Sequence, residues 1–382
     1  MSTPTRDIVI AGYVRSPFHP AHRGALAKVR PDDLAANTIR GLVERTGVKA
    51  EDIEDIVMGC AFPEGEQGFN VARIVTLLAD LPLSVGGITM NRFCGSSMSA
   101  VHYAAGQIAM GAGEAFICAG VESMSRVPMG GYNPMPNPDL AKNSAAYIGM
   151  GDTAENVARQ YDISREQQEA FAVKSQQKAG KAMESGAFRD EIVPVTTPDG
   201  KTVDTDGTPR PGTTARDLAG LKLSFDENGT VTAGTASPLT DGAVALLVCS
   251  ADYAEANGLA VFAKIRSMAI SGCAPEIMGI GPVEASRKAL ERAGLTIGDI
   301  DIVELNEAFG SQSLACIGDL DIPEEKINLD GGAIAIGHPL GATGARIVGK
   351  AASLLKREGK KYALVTQCIG GGQGIATILE AA

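Results

Sequence analysis

Cys94 has a position that would suit a nucleophile. It lies between a predicted strand, Val85–Met90, and a predicted helix of small residues, Cys94–Met110. The free amides and the positive dipole end of a helix N-terminus favour a thiolate. This matters because a free cysteine with a pKa of ~8.5 is only a few per cent ionised at neutral pH. Small, inert core cysteines occupy similar positions. Position alone therefore leaves both a reactive thiol and a core thiol open.

A base for such a thiol would have to come from four histidines. His19 and His22 fall in a polar N-terminal loop, and His102 lies two turns into a predicted helix. His338 differs, because it stands in the glycine-rich segment 331–344 that leads into a helix. Glycines permit unusual backbone angles and close approach, and histidine acts as acid or base near neutral pH. We therefore take His338 as the candidate base.

Two further segments carry groups that could take part. Cys368 opens a glycine cluster directly after the predicted strand Tyr362–Thr366. Consecutive glycines expose backbone amides, which can form an oxyanion hole, although a plain turn with an idle cysteine has the same pattern. Asn306 follows the predicted strand Ile300–Leu305, where it could be a helix N-cap and a functional residue at once.

The elements that must position these residues alternate along the chain. The strand-like segments Asp7–Val14, Ile53–Met58 and Ala115–Ala119 are separated by helix-like segments such as Pro31–Arg45. Such alternation predicts an α/β fold with a mostly parallel sheet covered by helices. The alternation stops between residues 121 and 241, and an insertion of that length is typically functional.

The second half of the chain repeats a pattern of the first. Residues 31–58 and residues 282–304 each contain a helix, a glycine stop, an acidic turn and a strand, in the same order and at nearly the same spacing. αβ units in general look alike, but the matched turns favour an internal duplication. Two duplicated halves that pack together would leave a cleft at their seam.

Composition excludes several classes of function. The net charge of −11 argues against a nucleic-acid partner, which requires a basic surface. The seven cysteines are scattered without Cys-x-x-Cys spacing, so the sequence predicts neither a disulfide framework nor a metal site. No apolar run reaches the ~18 residues of a membrane span, and the N-terminus does not resemble a signal peptide. We expect a cytoplasmic protein, because free thiols suit a reducing compartment.

Four segments together resemble the thiolase family, over essentially the whole chain. They are the segment Asn91-Arg92-Phe93-Cys94-Gly95-Ser96-Ser97, the segment Asn306-Glu307-Ala308-Phe309, the segment Gly337-His338-Pro339, and the segment Cys368-Ile369-Gly370-Gly371-Gly372-Gln373-Gly374. Within the family the chain is most similar to the bacterial degradative 3-ketoacyl-CoA thiolases (acetyl-CoA C-acyltransferases) of fatty-acid β-oxidation. The segment Glu66-Gln67-Gly68-Phe69-Asn70 also points that way.

The resemblance implies the thiolase fold. In that fold, duplicated βαβαβ halves form a five-layered αβαβα arrangement with an inserted loop domain. Carried onto this chain, the N-terminal half would comprise residues 1–120 with 242–263. The inserted loop domain, residues 121–241, would bind CoA, and residues 264–382 would form the C-terminal half.

The resemblance also implies a role for each candidate. His338 would take the proton of Cys94, and the thiolate would attack the keto carbon of a 3-ketoacyl-CoA. Cys368 would protonate the departing enolate and later take the proton of free CoA. One oxyanion would lie near His338 and a water held by Asn306. The other would lie near the backbone amides of Cys94 and Gly370.

The inserted domain would supply the contacts to CoA, which is then a co-substrate, with no tightly bound cofactor. Ser237 would touch the pantetheine, and Arg210 would face the nucleotide phosphates with the local positive charge that an acidic chain needs. Phe225 and Phe309 would line the pantetheine and acyl path, and Met150 belongs to the same substrate-binding set.

Alternatives stay open within and beyond this resemblance. A biosynthetic acetoacetyl-CoA thiolase (acetyl-CoA C-acetyltransferase) would use the same site. However, such enzymes usually carry a histidine where this chain has Gly149, which leaves room for a longer acyl chain. A non-catalytic CoA-binding protein is a more distant alternative. The resemblance further implies a homodimer or homotetramer, and degradative members often pair with an enoyl-CoA hydratase/3-hydroxyacyl-CoA dehydrogenase subunit.

Overall fold

The computed structural model describes residues 6–382. The prediction that the N-terminus is not a signal peptide concerns a segment that starts with residues 1–5, which lie outside the described residues. The strands are β1 Ile8–Arg15, β2 His19–Pro20, β3 Ile53–Gly59, β4 Gly86–Met90, β5 Ala115–Ser123, β6 Val195–Thr196, β7 Thr202–Val203, β8 Thr240–Ser250, β9 Ala263–Gly272, β10 Ile302–Leu305, β11 Tyr362–Ile369 and β12 Gln373–Ala381. The helices are α1 Pro31–Thr46, α2 Val71–Leu78, α3 Ser96–Ala109, α4 Pro138–Asn143, α5 Met150–Gln160, α6 Arg165–Ser185, α7 Ala215–Ala219, α8 Ala251–Ala256, α9 Gly281–Ala293, α10 Gly310–Asp319, α11 Ala333–Ile336 and α12 Thr343–Glu358. Within the described residues, no helix is long and apolar enough to cross a bilayer.

The main sheet is mixed rather than mostly parallel. Its strand order is β10-β11-β12-β9-β1-β8-β5-β3-β4, with β2 beside β8. Among the named strands of residues 6–382, parallel pairing is limited to β3 with β4, β3 with β5 and β10 with β11. The prediction of a mostly parallel sheet is wrong for two reasons. β8 returns from the insertion antiparallel between β1 and β5, and a tight glycine turn folds β12 back against β11, which antiparallel strands allow.

Three apolar clusters separate five layers. One cluster packs α1 and α2 on the outer face of the N-terminal strands, and another packs α9 and α10 on the outer face of the C-terminal strands. The third lies between the halves around α3 and α12. Strand β8 illustrates this layering, because successive side chains point to opposite faces of a strand. Leu246 belongs to the central cluster and Leu247 to the outer one, so both faces of β8 are buried. The five-layered αβαβα prediction is confirmed.

The repeat predicted from the sequence is present in the structure. Helix α1 ends at Gly47 (φ 68°), and a 3₁₀ turn then leads into β3. Helix α9 ends at Gly294 (φ 69°), and a 3₁₀ turn then leads into β10. Glycine adopts this left-handed conformation without the steric cost other residues incur. The halves join where β1 pairs with β9, Val9 opposite Lys264 and Ile10 opposite Ala263.

The insertion leaves the sheet after β5 and returns at β8. It contains α4 to α7 and the small hairpin of β6 and β7. Helix α6 begins with a capping box formed by Ser164 and Gln167. A buried cation secures the insertion, because Arg15 of β1 pairs with Glu191 at 2.7 Å and Asp206 at 2.6 Å.

Candidate active site

One cavity of about 910 Å³ lies where the two halves and the insertion meet. Cys94, His338 and Cys368 all line it, although they are far apart in the sequence. The insertion contributes the opposite wall. Of the residues predicted to bind substrate or CoA, those that line the cavity are Met150, Arg210, Phe225, Ser237 and Phe309. Asn306 and Gly370 adjoin the cavity through their contacts with His338 and Cys94.

Cys94 sits in a strained turn between β4 and α3. Phe93, the residue before it, has a positive φ of 43°, which is uncommon for a residue with a side chain. A 3₁₀ turn over Phe93–Gly95 then leads into the helix. Gly95 packs closely on β11, so that an added Cβ would lie 2.5 Å from the Ile369 side chain. This close approach brings the nucleophile turn of one half against the strand that carries Cys368 in the other.

The Cys94 thiol is protonated in the resting site. Burial raises the pKa of Cys94 to about 12. The backbone N–H of Gly370 and that of Cys94 itself lower this pKa, and the Glu122 carboxylate raises it. The helix start predicts a more acidic thiol, but loss of solvent outweighs two amide donors here. Attack therefore needs a base.

His338 is held as a neutral imidazole. It is 4% exposed, and burial lowers its pKa to about 3, with the Arg346 charge adding to the effect. The Asn306 amide nitrogen lies 3.4 Å from Nε2, and the Thr343 hydroxyl lies 2.6 Å from Nδ1. The Thr343 hydroxyl can donate its own hydrogen to the Pro339 carbonyl at 3.3 Å, so it accepts from Nδ1–H. This series of hydrogen bonds places the proton on Nδ1 and leaves Nε2 as the acceptor.

The loop around His338 depends on one glycine. Gly337 has φ 105°, and a Cβ there would lie 2.7 Å from the Thr240 hydroxyl. That hydroxyl accepts a hydrogen bond from the His338 backbone N–H at 3.0 Å. Glycine therefore provides both the backbone angle and the space that seat His338 over the cavity.

Asn306 is buried at the end of β10, and its side-chain oxygen has no hydrogen-bond partner among residues 6–382. An orphaned acceptor beside the cavity is suited to a water molecule. Glu307, the next residue, is also buried and accepts from the Ser175 hydroxyl at 2.6 Å and the Asn328 amide at 2.7 Å. It also accepts from the Ile334 backbone N–H, so it ties the end of β10 to the helix that precedes His338.

Cys368 is fully buried near the end of β11. Burial raises the pKa of its thiol well above the ordinary range, and proximity to Cys94 raises it further. Both sulfurs are thus neutral at rest. A thiol that is hard to ionise is suited to deliver a proton to a carbanion-like group, because the proton leaves only when a strong acceptor is present.

The wall from the insertion combines aromatic and basic side chains. Phe225 and Phe309 meet edge to face with ring centroids 6.0 Å apart. Ser237 donates its backbone N–H to the Ala308 carbonyl at 3.0 Å, which fixes the loop against the C-terminal half. Arg210 is exposed at the cavity, and Arg23, which the sequence did not single out, lines it as well.

Comparison with known proteins identifies the family. The model of the thiolase N-terminal domain matches residues 8–252, and that of the thiolase C-terminal domain matches residues 259–381. The chain belongs to the thiolase family. The two matches together span both halves and the insertion. The thiolase fold and the acyltransferase class are therefore assigned to the full length of the chain.

Full-length relatives agree with that assignment. The chain is similar to 3-ketoacyl-CoA thiolases of Bacillus subtilis (46% identity, 98% of this chain and 99% of the relative) and Marinobacter nauticus (48%, all of both chains). It is also similar to human mitochondrial 3-ketoacyl-CoA thiolase solved in complex with CoA. That match has a TM-score of 0.91 and 36% identity, and covers 99% of this chain and 98% of the other.

Glu122 is a residue of this thiolase site to which sequence reasoning gave no role. It is buried at the end of β5 and accepts backbone N–H groups from Ala61 at 2.8 Å and Gly341 at 2.9 Å. The Gln67 amide donates to it at 2.8 Å. Ala61 packs in the same apolar cluster as Cys94, and Gly341 follows His338 by three residues. The available signal was an acid at the end of an otherwise apolar strand.

Proposed function

We propose that this thiolase cleaves 3-ketoacyl-CoA with free CoA, giving acetyl-CoA and a shortened acyl-CoA through an acyl-enzyme on Cys94. The observation that supports this most directly is the convergence of Cys94, His338 and Cys368 on one cavity, with the Gly370 amide at the nucleophile. Full-length relatives that carry the name 3-ketoacyl-CoA thiolase support the substrate class and a role in fatty-acid β-oxidation.

In the first half-reaction, Nε2 of His338 takes the Cys94 proton as sulfur attacks the keto carbon. Because both groups are neutral at rest, proton transfer accompanies the attack. The backbone amides of Cys94 and Gly370 stabilise the oxyanion that forms. The carbon–carbon bond then breaks, the acyl group stays on Cys94, and the enolate of acetyl-CoA leaves. Cys368 donates its proton to that enolate.

In the second half-reaction, CoA regenerates the enzyme. The Cys368 thiolate takes the proton of the CoA thiol, and the CoA sulfur attacks the thioester on Cys94. The new acyl-CoA leaves as the bond to Cys94 breaks, and His338 returns its proton to the Cys94 sulfur. The atoms balance, because each thiol ends the cycle protonated and one acyl group has moved to CoA. The Asn306 side-chain oxygen, which has no partner among the described residues, would hold a water near the enolate oxygen.

CoA would bind along the wall formed by the insertion. The Phe225–Phe309 pair and Met150 offer apolar surface to the pantetheine, and Ser237 lies beside the same path. Arg210 and Arg23 would face phosphate groups, which gives local positive charge on a chain of net charge −11. CoA is a co-substrate in this proposal. The human structural relative was solved with CoA, which supports it.

The direct test replaces the nucleophile. Cys94→Ser should lose nearly all thiolysis while it keeps the wild-type circular dichroism spectrum and nearly the wild-type melting temperature, because it replaces a single sulfur atom with oxygen at a side chain of intermediate exposure. Mass spectrometry of wild-type protein mixed with a 3-ketoacyl-CoA should find the acyl group on Cys94. Wild-type rates in the serine variant would contradict the proposal.

A biosynthetic acetoacetyl-CoA thiolase would use the same groups, so the substrate range has to decide. The glycine at position 149, at the cavity wall, favours longer acyl chains. We expect kcat/KM to be higher for a medium-chain 3-ketoacyl-CoA than for acetoacetyl-CoA. A sole preference for acetoacetyl-CoA would support the biosynthetic alternative.

We also infer self-association through the edge of β4. Within the part of the chain that the structure describes, this strand ends the sheet with one side unpaired. Apolar side chains flank it: Phe69 is 94% exposed and Leu83 is 78% exposed. An open edge with exposed apolar neighbours is suited to a two-fold pairing with a second copy. A homodimer, or a homotetramer of such dimers, is therefore proposed. A hydratase/dehydrogenase partner is proposed only by analogy with degradative relatives, and a cytoplasmic location from the free thiols of all seven cysteines.

A further inference from the structure

Gln367 is a polar residue in the buried strand β11, directly before Cys368. Its side chain is fully buried, and its amide nitrogen donates a hydrogen bond to the backbone carbonyl of Cys94, 273 positions away. Because a carbonyl oxygen only accepts, the amide nitrogen rather than the amide oxygen must face Cys94. The Gln367 side-chain oxygen has no partner among residues 6–382. Within those residues, the Gln367 side chain therefore forms its hydrogen bond with Cys94 through the amide nitrogen.

The oxyanion site that Gln367 adjoins is split between the two halves of the molecule. One backbone N–H beside the nucleophile belongs to Cys94 in the N-terminal half, and the other belongs to Gly370 in the C-terminal half. Their spacing therefore depends on how the Cys94 turn sits against β11. Oxyanion stabilisation requires donors within about 2.7–3.1 Å of one oxygen position, so a small displacement of either segment weakens it.

The turn needs external support. Phe93 has a positive φ, a strained conformation that persists only where its surroundings hold it. Besides the apolar contact of Ile369, two side chains of the C-terminal half form hydrogen bonds with the turn: Gln367 of β11 binds the Cys94 carbonyl, and Gln373 of β12 accepts from Arg92 at 3.0 Å. Of these, Gln367 alone bonds to the residue that carries both the nucleophile and an oxyanion donor.

We propose that Gln367 is a positioning residue that fixes the Cys94 turn against β11 and thereby sets the spacing of the two oxyanion donors. It does not touch substrate in this scheme, and it acts through the Cys94 backbone. The inference rests on the proposed role of Cys94 as nucleophile.

The primary test is Gln367→Met, which keeps the length of the side chain but removes the donor. We expect kcat for thiolysis to fall about 10-fold, less than the 10²–10³ typical of a deleted oxyanion donor, with KM nearly unchanged. Alkylation of Cys94 by iodoacetamide displaces iodide from a carbon and forms no oxyanion. Because the same two amides also lower the pKa of the thiol, its rate should fall, but by clearly less than kcat. An unchanged kcat, or equal losses in both reactions, would overturn the proposal.

A matched control is Gln168→Met. Gln168 is also buried, its amide donates to the Thr230 hydroxyl at 2.9 Å, and its oxygen likewise has no partner among the described residues. It lies on α6 and does not line the cavity. This variant should keep the wild-type kcat. A loss equal to that of Gln367→Met would assign the effect to the removal of a buried amide in general.

Gln367→Glu gives an independent signature. A protonated carboxyl group can donate to the Cys94 carbonyl, whereas a carboxylate cannot. The ratio of variant to wild-type kcat should therefore rise as the pH falls, and a ratio that is flat with pH would count against the proposal. Cys94→Ser, run in parallel, separates the two hypotheses. If it is inactive while Gln367→Met is unimpaired, the nucleophile stands and the positioning role fails.

Discussion

Thr343 decides which nitrogen of His338 is free to accept a proton. Its hydroxyl lies 2.6 Å from Nδ1 and can pass its own hydrogen to the Pro339 carbonyl. Histidines that work as bases commonly depend on such a partner for their tautomer and ring orientation. The residue follows His338 by five positions, so the sequence contained it, but no spacing rule pointed to it.

Replacement of Thr343 should therefore slow the reaction without preventing folding. In Thr343→Val the Nδ1–H loses its acceptor, and we expect kcat to fall by about 10-fold or more, since general-base catalysis typically contributes 10²–10⁴. Thr343→Ser keeps the hydroxyl and should restore most of the rate. Steady-state thiolysis of both variants measures this, and a fully active valine variant would show that the tautomer is set elsewhere.

The two histidines with strongly lowered pKa values should make stability depend on pH. Burial lowers the pKa of His102 and of His338 to about 3, below the ordinary 6.5. Between these values the unfolded chain binds more protons, so stability is complete above pH 6.5 and is lost as the pH falls toward 3.

His102 offers the cleaner test, because it bonds to Thr377 at 2.8 Å and does not line the cavity. His102→Gln should reduce the slope of unfolding free energy against pH by about one proton in this window. Urea unfolding of both proteins at pH 4.5, 5.5 and 6.5 would measure the difference. Parallel curves for variant and wild type would mean that His102 is not held neutral.

At the scale of elements, Glu122 joins two loops that the sheet alone does not fix. It binds the connection between β3 and α2 through Ala61 and Gln67, and the turn after His338 through Gly341. Its charge also raises the pKa of Cys94. Stability and thiol reactivity should therefore change in opposite senses when that charge is removed.

Glu122→Gln tests this coupling. A neutral amide satisfies the backbone donors less well, so unfolding free energy should fall by about 1–3 kcal/mol. Because the charge that opposes ionisation is gone, Cys94 should react several-fold faster with iodoacetamide at pH 8. Chemical denaturation and timed alkylation give the two quantities, and slower alkylation in a folded variant would exclude the electrostatic role.

Sequence patterns predicted most elements within a few residues and missed the sheet's mixed direction. Helix α1 and strand β3 have the predicted bounds almost unchanged, because Gly47 marks the stop between them. The direction of β8 depends on partners distant in the chain, and that of β12 on the glycine turn that follows β11. Alternation of strands and helices encodes neither. The same holds for the site. Cys94 and His338 were found by residue type and loop context, whereas Gln367 lies in an apolar strand and acts through a contact 273 positions away.

At the scale of the whole molecule, the open edge of β4 should determine the oligomeric state. The double variant Phe69→Lys/Leu83→Asp places charges on the exposed apolar flank without disturbing a core contact. We expect wild type to sediment as a dimer or larger species and the variant to shift toward a monomer with unchanged secondary structure. A double variant that assembles like wild type would place the interface elsewhere.

The position of β8 between β1 and β5 has a consequence for synthesis. Strand β1, residues 8–15, pairs with β8 at residues 240–250. The backbone groups of β1 therefore lack these hydrogen-bonding partners while more than half of the chain is synthesised. At the ~5–20 residues per second of translation this delay lasts on the order of ten seconds or more. An unpaired apolar strand exposed for that time invites nonspecific association. The nascent chain should therefore depend on chaperones until β8 has emerged from the ribosome.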